Sequence, residues 1–199
     1  MTTAIILASG STIRATLLQN AGVLFDQQVP RIDEQTVKET FQANGSAPSD
    51  IADALAAAKA KEVARSYPDA MVIGCDQVLA FNGTIMSKPR DPDNAKQQLI
   101  ALRGRKHSLF SAAVVYDQGQ PIWRYTGAVM LQMRDFSDAY LESYLARSWQ
   151  DIQHCIGGYQ LEAEGVRLFE TIEGDYFHVL GMPLLELLAF LTLRGAIEG

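Results

Sequence analysis

The chain is short of cysteine, histidine and tryptophan, with 2, 3 and 2 of them in 199 residues. Cys75 and Cys155 are far apart and form no C-x-x-C pair, so neither a disulfide framework nor a structural zinc site has support, and reduced thiols in a cytoplasmic protein are expected. An excess of basic charge is missing too: 17 Lys and Arg against 23 Asp and Glu give a formal net charge of -6. That excludes a protein relying on non-specific contacts with a nucleic-acid polymer, which need clustered cations. A single nucleotide remains compatible, because one triphosphate needs only a few cations and backbone N–H groups. No apolar run is long enough to span a membrane. The first one, Ala4-Ile5-Ile6-Leu7-Ala8, has neither the basic leader nor the length of a secretory signal and is read as part of the fold. Internal repeats and low-complexity tracts are also missing.

What is present is a globular composition, 48% hydrophobic. This is enough for a full core in one domain over 1–199, or in two tightly joined lobes. The order of segments predicts an α/β protein with a mixed sheet. Ala4 to Ala8 reads as a buried strand, followed by the loop Ser9-Gly10-Ser11 and a helix from Ile13 to Asn20 that Gly22 stops. Val23 to Val29 reads as extended and leads to Asp33-Glu34. Phe41 to Asp50 reads as a mobile connection, with Asp50 as N-cap of an Ala-rich helix from Ile51 to Tyr67. Ala70 to Leu79 reads as a strand carrying Asp76 and Gln77, with a hairpin turn at Asn82-Gly83. A helix over Pro89 to Leu102, strands over His107 to Tyr116 and Trp123 to Met133, and a Ser137-capped helix to Ser148 follow. The last third carries Gly157-Gly158-Tyr159, a strand around Val166 to Phe169, a turn at Glu173-Gly174-Asp175, and a helix from Pro183 to Leu193.

A loop of small residues between a buried strand and a helix aims N–H groups at one point where the helix end favours an anion. Ser9, Ser11 and Arg14 add hydroxyl and guanidinium donors, which suits a phosphate; the alternative is an ordinary strand-to-helix turn. Asp76 is expected at the C-terminal end of a buried strand, where α/β folds assemble their sites, or as a structural cap. Lys59 and Lys88 can offset phosphate charge or lie solvated on the surface. Asp33-Glu34 can hold a divalent cation together with Asp76, since Mg²⁺ takes one or two carboxylates and completes its shell with water and phosphate. His107 is read as structural at a strand start, and His154 and His178 show no partner in sequence.

In this order the pieces resemble the Maf (septum formation protein) family of nucleoside triphosphate pyrophosphatases. The resemblance runs through Leu7-Ala8-Ser9-Gly10-Ser11 with Arg14, Asp33-Glu34, Ala58-Lys59-Ala60, Gly74-Cys75-Asp76-Gln77-Val78 with Ser87-Lys88-Pro89, and Gly157-Gly158-Tyr159 with Val179-Leu180-Gly181-Met182-Pro183. It implies an elongated mixed-sheet fold, akin to that of inosine triphosphate pyrophosphatase, with two lobes around a deep cleft. It also implies hydrolysis between the α- and β-phosphates with Mg²⁺ or Mn²⁺, and a homodimer. Carried over residue by residue, Asp76 corresponds to the proton acceptor, or to the group that orients a metal-bound water. Ser11, Arg14, Glu34, Lys59 and Lys88 correspond to the phosphate- and metal-handling set, in which Glu34 and Asp76 are the expected metal ligands.

Three positions sort the branches of that family, and here they are Ile13, Gln77 and Glu162. Gln77 and Glu162 resemble the branch that prefers 7-methyl-GTP, whereas the dTTP/UTP-preferring branch has Arg, Thr and Gln. Ile13 fits neither, since the methyl-GTP branch carries a Trp that can stack on a cationic base. Thr12 and Arg103 are smaller departures. Two other readings compete: a regulatory nucleotide-binding protein linked to division arrest, which would not need Asp76, and a monophosphate phosphatase.

Overall fold

A computed structural model describes residues 4–199. Among these residues seven strands, β1 (Ile5–Ala8), β2 (Asp26–Gln28), β3 (Met71–Phe81), β4 (Thr84–Met86), β5 (Lys106–Asp117), β6 (Gln120–Met133) and β7 (Phe169–Glu173), form one mixed sheet in the order β2-β1-β3-β5-β6-β7 with β4 paired to β3, and seven α-helices accompany it. Strand β1 (Ile5–Ala8) is buried along its whole length and pairs in parallel with both β2 (Asp26–Gln28) and β3 (Met71–Phe81). A parallel strand flanked on both edges reads as a continuous apolar run, which is why Ile5-Ile6-Leu7-Ala8 lacks alternation. Beyond its pairing with β1, β3 turns back through Asn82 and Gly83, both at positive φ, to pair antiparallel with β4 (Thr84–Met86). Gln118 and Gly119 play the same part between β5 (Lys106–Asp117) and β6 (Gln120–Met133), in the two-residue geometry that suits a twisted hairpin.

The helices follow their local signals. Helix α1 (Thr12–Asn20) ends at Gly22, α4 (Pro92–Leu102) is capped by the Asp91 carboxylate accepting from Asn94 N–H, and α5 (Asp138–Ile152) is capped by Ser137. Helix α7 (Leu184–Leu193) follows Pro183. Among the described residues no helix is long and apolar enough to cross a membrane.

Four local expectations are corrected. The first concerns Phe41 to Asp50, expected as a mobile connection: its first three residues close helix α2 (Glu34–Ala43) and its last three open the next helix, which starts at Pro48. The ten residues of α2 bury nothing fully, and Val37 and Phe41, one turn apart on one face, are its only large apolar residues, a short signal inside a polar segment. The second is that α3 (Pro48–Ala64) begins one turn early on Ala47, so Asp50 lies in its first turn and is not its cap; Pro48 starts the helix at no hydrogen-bond cost. The third is that Asp76 sits in the middle of β3, which runs on to Phe81 after its parallel partner β1 has ended opposite Gly74. The fourth is that Glu164–Leu168 forms a 3-10 turn, and the strand β7 (Phe169–Glu173) comes after it. Gly165 explains the tight coil: a Cβ there would lie 2.4 Å from the Gln160 carbonyl oxygen.

The chain divides into two compact units. The first comprises the described residues up to Gln77, Phe110–Gly127 and Gly181–Gly199, and the second Val78–Leu109 and Ala128–Leu180. The first unit is centred on β1 and α3, with Leu7, Leu18, Ile51, Leu55 and Ile73 fully buried. In the second, α4 packs on α5 and on the 3-10 turn Ile156–Gly158, around Leu79, Leu99, Leu102 and Tyr144. The short α6 (Tyr176–Val179) in that unit is capped by the Asp175 carboxylate.

Candidate active site

Where β1 stops, the chain turns through Ser9 and Gly10 into Ser11, the N-cap of α1. The Ser11 side chain makes no capping bond, so its hydroxyl is not consumed by the helix end. The buried Ser9 hydroxyl accepts from Ser11 N–H at 3.2 Å and from Arg14 Nη1 at 3.3 Å, which draws the loop into a tight coil.

Arg14 is buried and bonded on two sides. Its Nε donates to the Gly181 carbonyl at 2.8 Å and its Nη1 to the Cys75 carbonyl at 2.9 Å, while Nη2 makes no hydrogen bond among the described residues. One guanidinium therefore ties the loop after β1 to the residue before Asp76 and to the turn before Pro183. Gly181 stands at φ +94°, and a Cβ on it would come within 3.2 Å of Arg14 Nη2. Truncating Arg14 would leave these carbonyls without their donor in the interior, a cost of about 1–3 kcal/mol for each buried unsatisfied group.

Asp76 reaches this site because of a glycine two residues earlier on the same face of β3. A Cβ at Gly74 would lie 2.2 Å from the Ala56 carbonyl oxygen and 2.7 Å from Ala60 N, so only glycine lets α3 come down onto the strand. That approach sets Lys59 over Asp76, with Nζ 2.5 Å from Asp76 Oδ1 and 2.7 Å from Glu34 Oε1. Lys59 and Asp76 are buried, whereas Glu34 is half-exposed and also has Lys38 Nζ at 4.0 Å. Glu34 reaches the cluster from the first turn of α2. The preceding Asp33 is spent on capping, accepting from Thr36 N–H at 3.0 Å and Thr36 Oγ1 at 2.7 Å, which hold its carboxyl below the usual range. The acidic pair thus divides into one structural and one site carboxylate.

Cys75 is fully buried, and desolvation pushes its thiol up to about 11, with Arg14 and Lys59 opposing; it is no thiolate nucleophile. Gln77 points to the other face of β3 and donates to Ser111 Oγ at 3.0 Å. Ile13 lies half-buried in the first turn of α1. The first unit thus contains Ser9, Ser11, Ile13, Arg14, Glu34, Lys59, Asp76 and Gln77.

Lys88 and Glu162 belong to the second unit, where both are exposed. Both act electrostatically on Cys155, Glu162 raising its thiol pKa and Lys88 lowering it, behind the larger effect of burial. In the same unit Gly157 stands at φ +78°, where a Cβ would meet the Tyr159 ring at 2.5 Å and Leu79 at 2.7 Å. The Gly158 carbonyl accepts from Tyr144 Oη at 3.2 Å. His107 packs on Tyr159 and Phe169 and shares a 2.8 Å hydrogen bond with the Tyr159 hydroxyl. Burial lowers its pKa to about 4, so it is the structural histidine that its position at a strand start suggested.

The profile of the family described as Maf-like protein matches residues 4–193. The chain belongs to the Maf family. It is 57% identical over 198 residues, and over 100% of both chains, to a protein of Ruegeria pomeroyi named nucleoside triphosphate pyrophosphatase. It is 44% identical over 194 residues, 98% of both chains, to one of Rhizobium meliloti named 7-methyl-GTP pyrophosphatase. A Mesorhizobium japonicum protein of the same name is 43% identical over 100% of both.

Two further residues shape this candidate site. Gly74 carried a usable signal, since a glycine inside an apolar strand marks a close backbone approach. Gln27 carried none: it is an exposed residue of a three-residue strand, yet its Nε2 donates to the Ser9 carbonyl at 2.7 Å.

Proposed function

We propose that this chain is a nucleoside triphosphate pyrophosphatase that hydrolyses the α–β phosphoanhydride to a nucleoside monophosphate and pyrophosphate. The observation that carries this reading is the Glu34–Lys59–Asp76 cluster in the same unit as a strand-to-helix loop whose cap hydroxyl is uncommitted. The names of relatives that match over nearly their whole length support it. Ser9 and Ser11 bind phosphate oxygens, Arg14 holds the loop and offers Nη2, and Lys88 meets the polyphosphate from an exposed position. Asp76 takes the proton of the attacking water as its oxygen bonds to the α-phosphorus. The bond from that phosphorus to the bridging oxygen breaks, and pyrophosphate leaves with the electron pair.

The residues present fit a divalent cation. Both carboxylates converge on the buried Lys59 ammonium, with Lys38 only at 4.0 Å from Glu34, so little positive charge is left for a triphosphate, and hard oxygen donors are what Mg²⁺ and Mn²⁺ prefer. Among the described residues no three His, Cys, Asp or Glu side chains gather around one point, so substrate phosphate and water complete the shell. Glu34 and Asp76 would hold the ion, which would supply charge neutralisation at the phosphates.

Gln77 and Glu162, together with the names of the Rhizobium and Mesorhizobium relatives, favour 7-methyl-GTP or another modified nucleotide as substrate. The dTTP/UTP preference is the second reading, because Ile13 lacks the aromatic face expected for a methylated purine. We further propose that the protein acts in the cytoplasm as a homodimer. The test is pyrophosphate release from 7-methyl-GTP, GTP, dTTP and UTP with Mg²⁺ or Mn²⁺, on the wild type, Ile13→Trp and Ile13→Arg. Turnover is expected, with the two variants shifting the ranking in opposite directions. Binding without turnover would favour a regulatory nucleotide-binding role, and orthophosphate released directly from a monophosphate would favour a phosphatase.

A further inference from the structure

The Ser9–Gly10 peptide is held from outside the loop by one side chain. Gln27 lies opposite Leu7 in the parallel β1–β2 pair, and its amide reaches along the strand to the Ser9 carbonyl, 2.7 Å away. A carbonyl oxygen can only accept, so the nitrogen end of the amide faces it. Because the peptide is planar and trans, the carbonyl of Ser9 and the N–H of Gly10 point in opposite directions. Fixing the first toward β2 aims the second away from β2. The other donors of the turn are partly committed: Ser11 N–H and Arg14 Nη1 both go to Ser9 Oγ. Gly10 N–H has no hydrogen-bond partner among the described residues.

We infer that Gln27 is a positioning residue that orients the Gly10 N–H as an anion donor for the polyphosphate. The inference rests on the proposed triphosphate chemistry. Gln27 touches no reacting atom; it acts through the Ser9–Gly10 peptide plane. Without it that plane is free to rotate, and the loop loses one donor aimed at phosphate, an interaction made alike in the ground and transition states. Such a loss raises KM and leaves kcat nearly unchanged.

The full-length protein is tested as wild type, Gln27→Met, which keeps the length without the donor, and Gln27→Glu, which sets a carboxylate against the Ser9 carbonyl. Steady-state hydrolysis, thermal unfolding and calorimetric binding of α,β-methylene-GTP with Mg²⁺ are measured for each. Gln27→Met is expected to raise KM and the analogue Kd by about tenfold, the scale of one charge-assisted hydrogen bond, with kcat within about twofold. Gln27→Glu is expected to go further in the same direction. Tm should stay put, since Gln27 is an exposed residue of an edge strand. Unchanged KM and Kd in both variants would overturn the inference, as would falling kcat and Tm at constant KM, the pattern of a purely structural role. A wild type that binds the analogue Gln27-dependently but hydrolyses no triphosphate would sink the pyrophosphatase reading and leave this one standing. A wild type that binds no analogue would sink both.

Discussion

In the first unit Arg14, Lys59 and Asp76 are buried and each is bonded to protein atoms, while in the second Lys88 and Glu162 are exposed and the buried packing is of Gly157, Tyr159 and His107. The difference is one of preorganisation. Groups whose bonds are made before substrate arrives suit the chemical step, where reorganisation costs rate. Exposed groups keep their side-chain freedom and contribute mainly by attracting charge, at the entropic cost of being ordered on binding. The buried set should therefore govern kcat and the exposed set KM.

The sharpest way to break that contrast is Asp76→Asn. The substitution keeps shape and leaves Lys59 paired with Glu34, so the fold should persist. It removes the proton acceptor, and kcat should fall by about 10³-fold or more, the upper range for a positioned general base, with KM within a few-fold. Turnover within tenfold of wild type would remove Asp76 from the chemistry. The second effect in size is expected at Lys88→Met. Exposed and in the other unit, Lys88 should cost about tenfold in KM with Tm and kcat nearly constant. A collapse of kcat instead would mean that Lys88 belongs with the preorganised set.

The parts legible in the sequence were those with a local cause. β1 announced itself by a short apolar run, Asn82-Gly83 by turn chemistry, and α5 by its Ser137 cap. Motif order groups Asp76, Lys59, Glu34 and Arg14, and the structure holds those four in one unit. What stayed hidden was set by tertiary contact. α2 offers only Val37 and Phe41 as large apolar residues and buries none fully, and Asp76 is expected at a strand end although β3 outruns β1 and pairs its last three residues with β4. The structural use of Arg14 was invisible as well, since its acceptors are the backbone carbonyls of Cys75 and Gly181, which any residue supplies.

The effect furthest from turnover comes from the second unit and concerns stability. His107 is buried against Tyr159 and Phe169, its Nδ1 has no partner among the described residues, and its pKa is lowered from 6.5 to about 4. Other charges near that ring do not set the shift; desolvation does. Between about pH 6.5 and 4 the unfolded chain binds a proton at this position that the folded chain refuses, so stability falls as pH drops through that window, by at most about 3 kcal/mol. Above pH 6.5 the histidine is neutral in both states and adds no slope. His107→Gln keeps a partner for the Tyr159 hydroxyl but cannot titrate, so its Tm should fall less than that of wild type between pH 7 and pH 4.5. Parallel Tm profiles for the two proteins would show that acid sensitivity arises elsewhere, and with it the idea that the second unit is held by a neutral, desolvated histidine would fail.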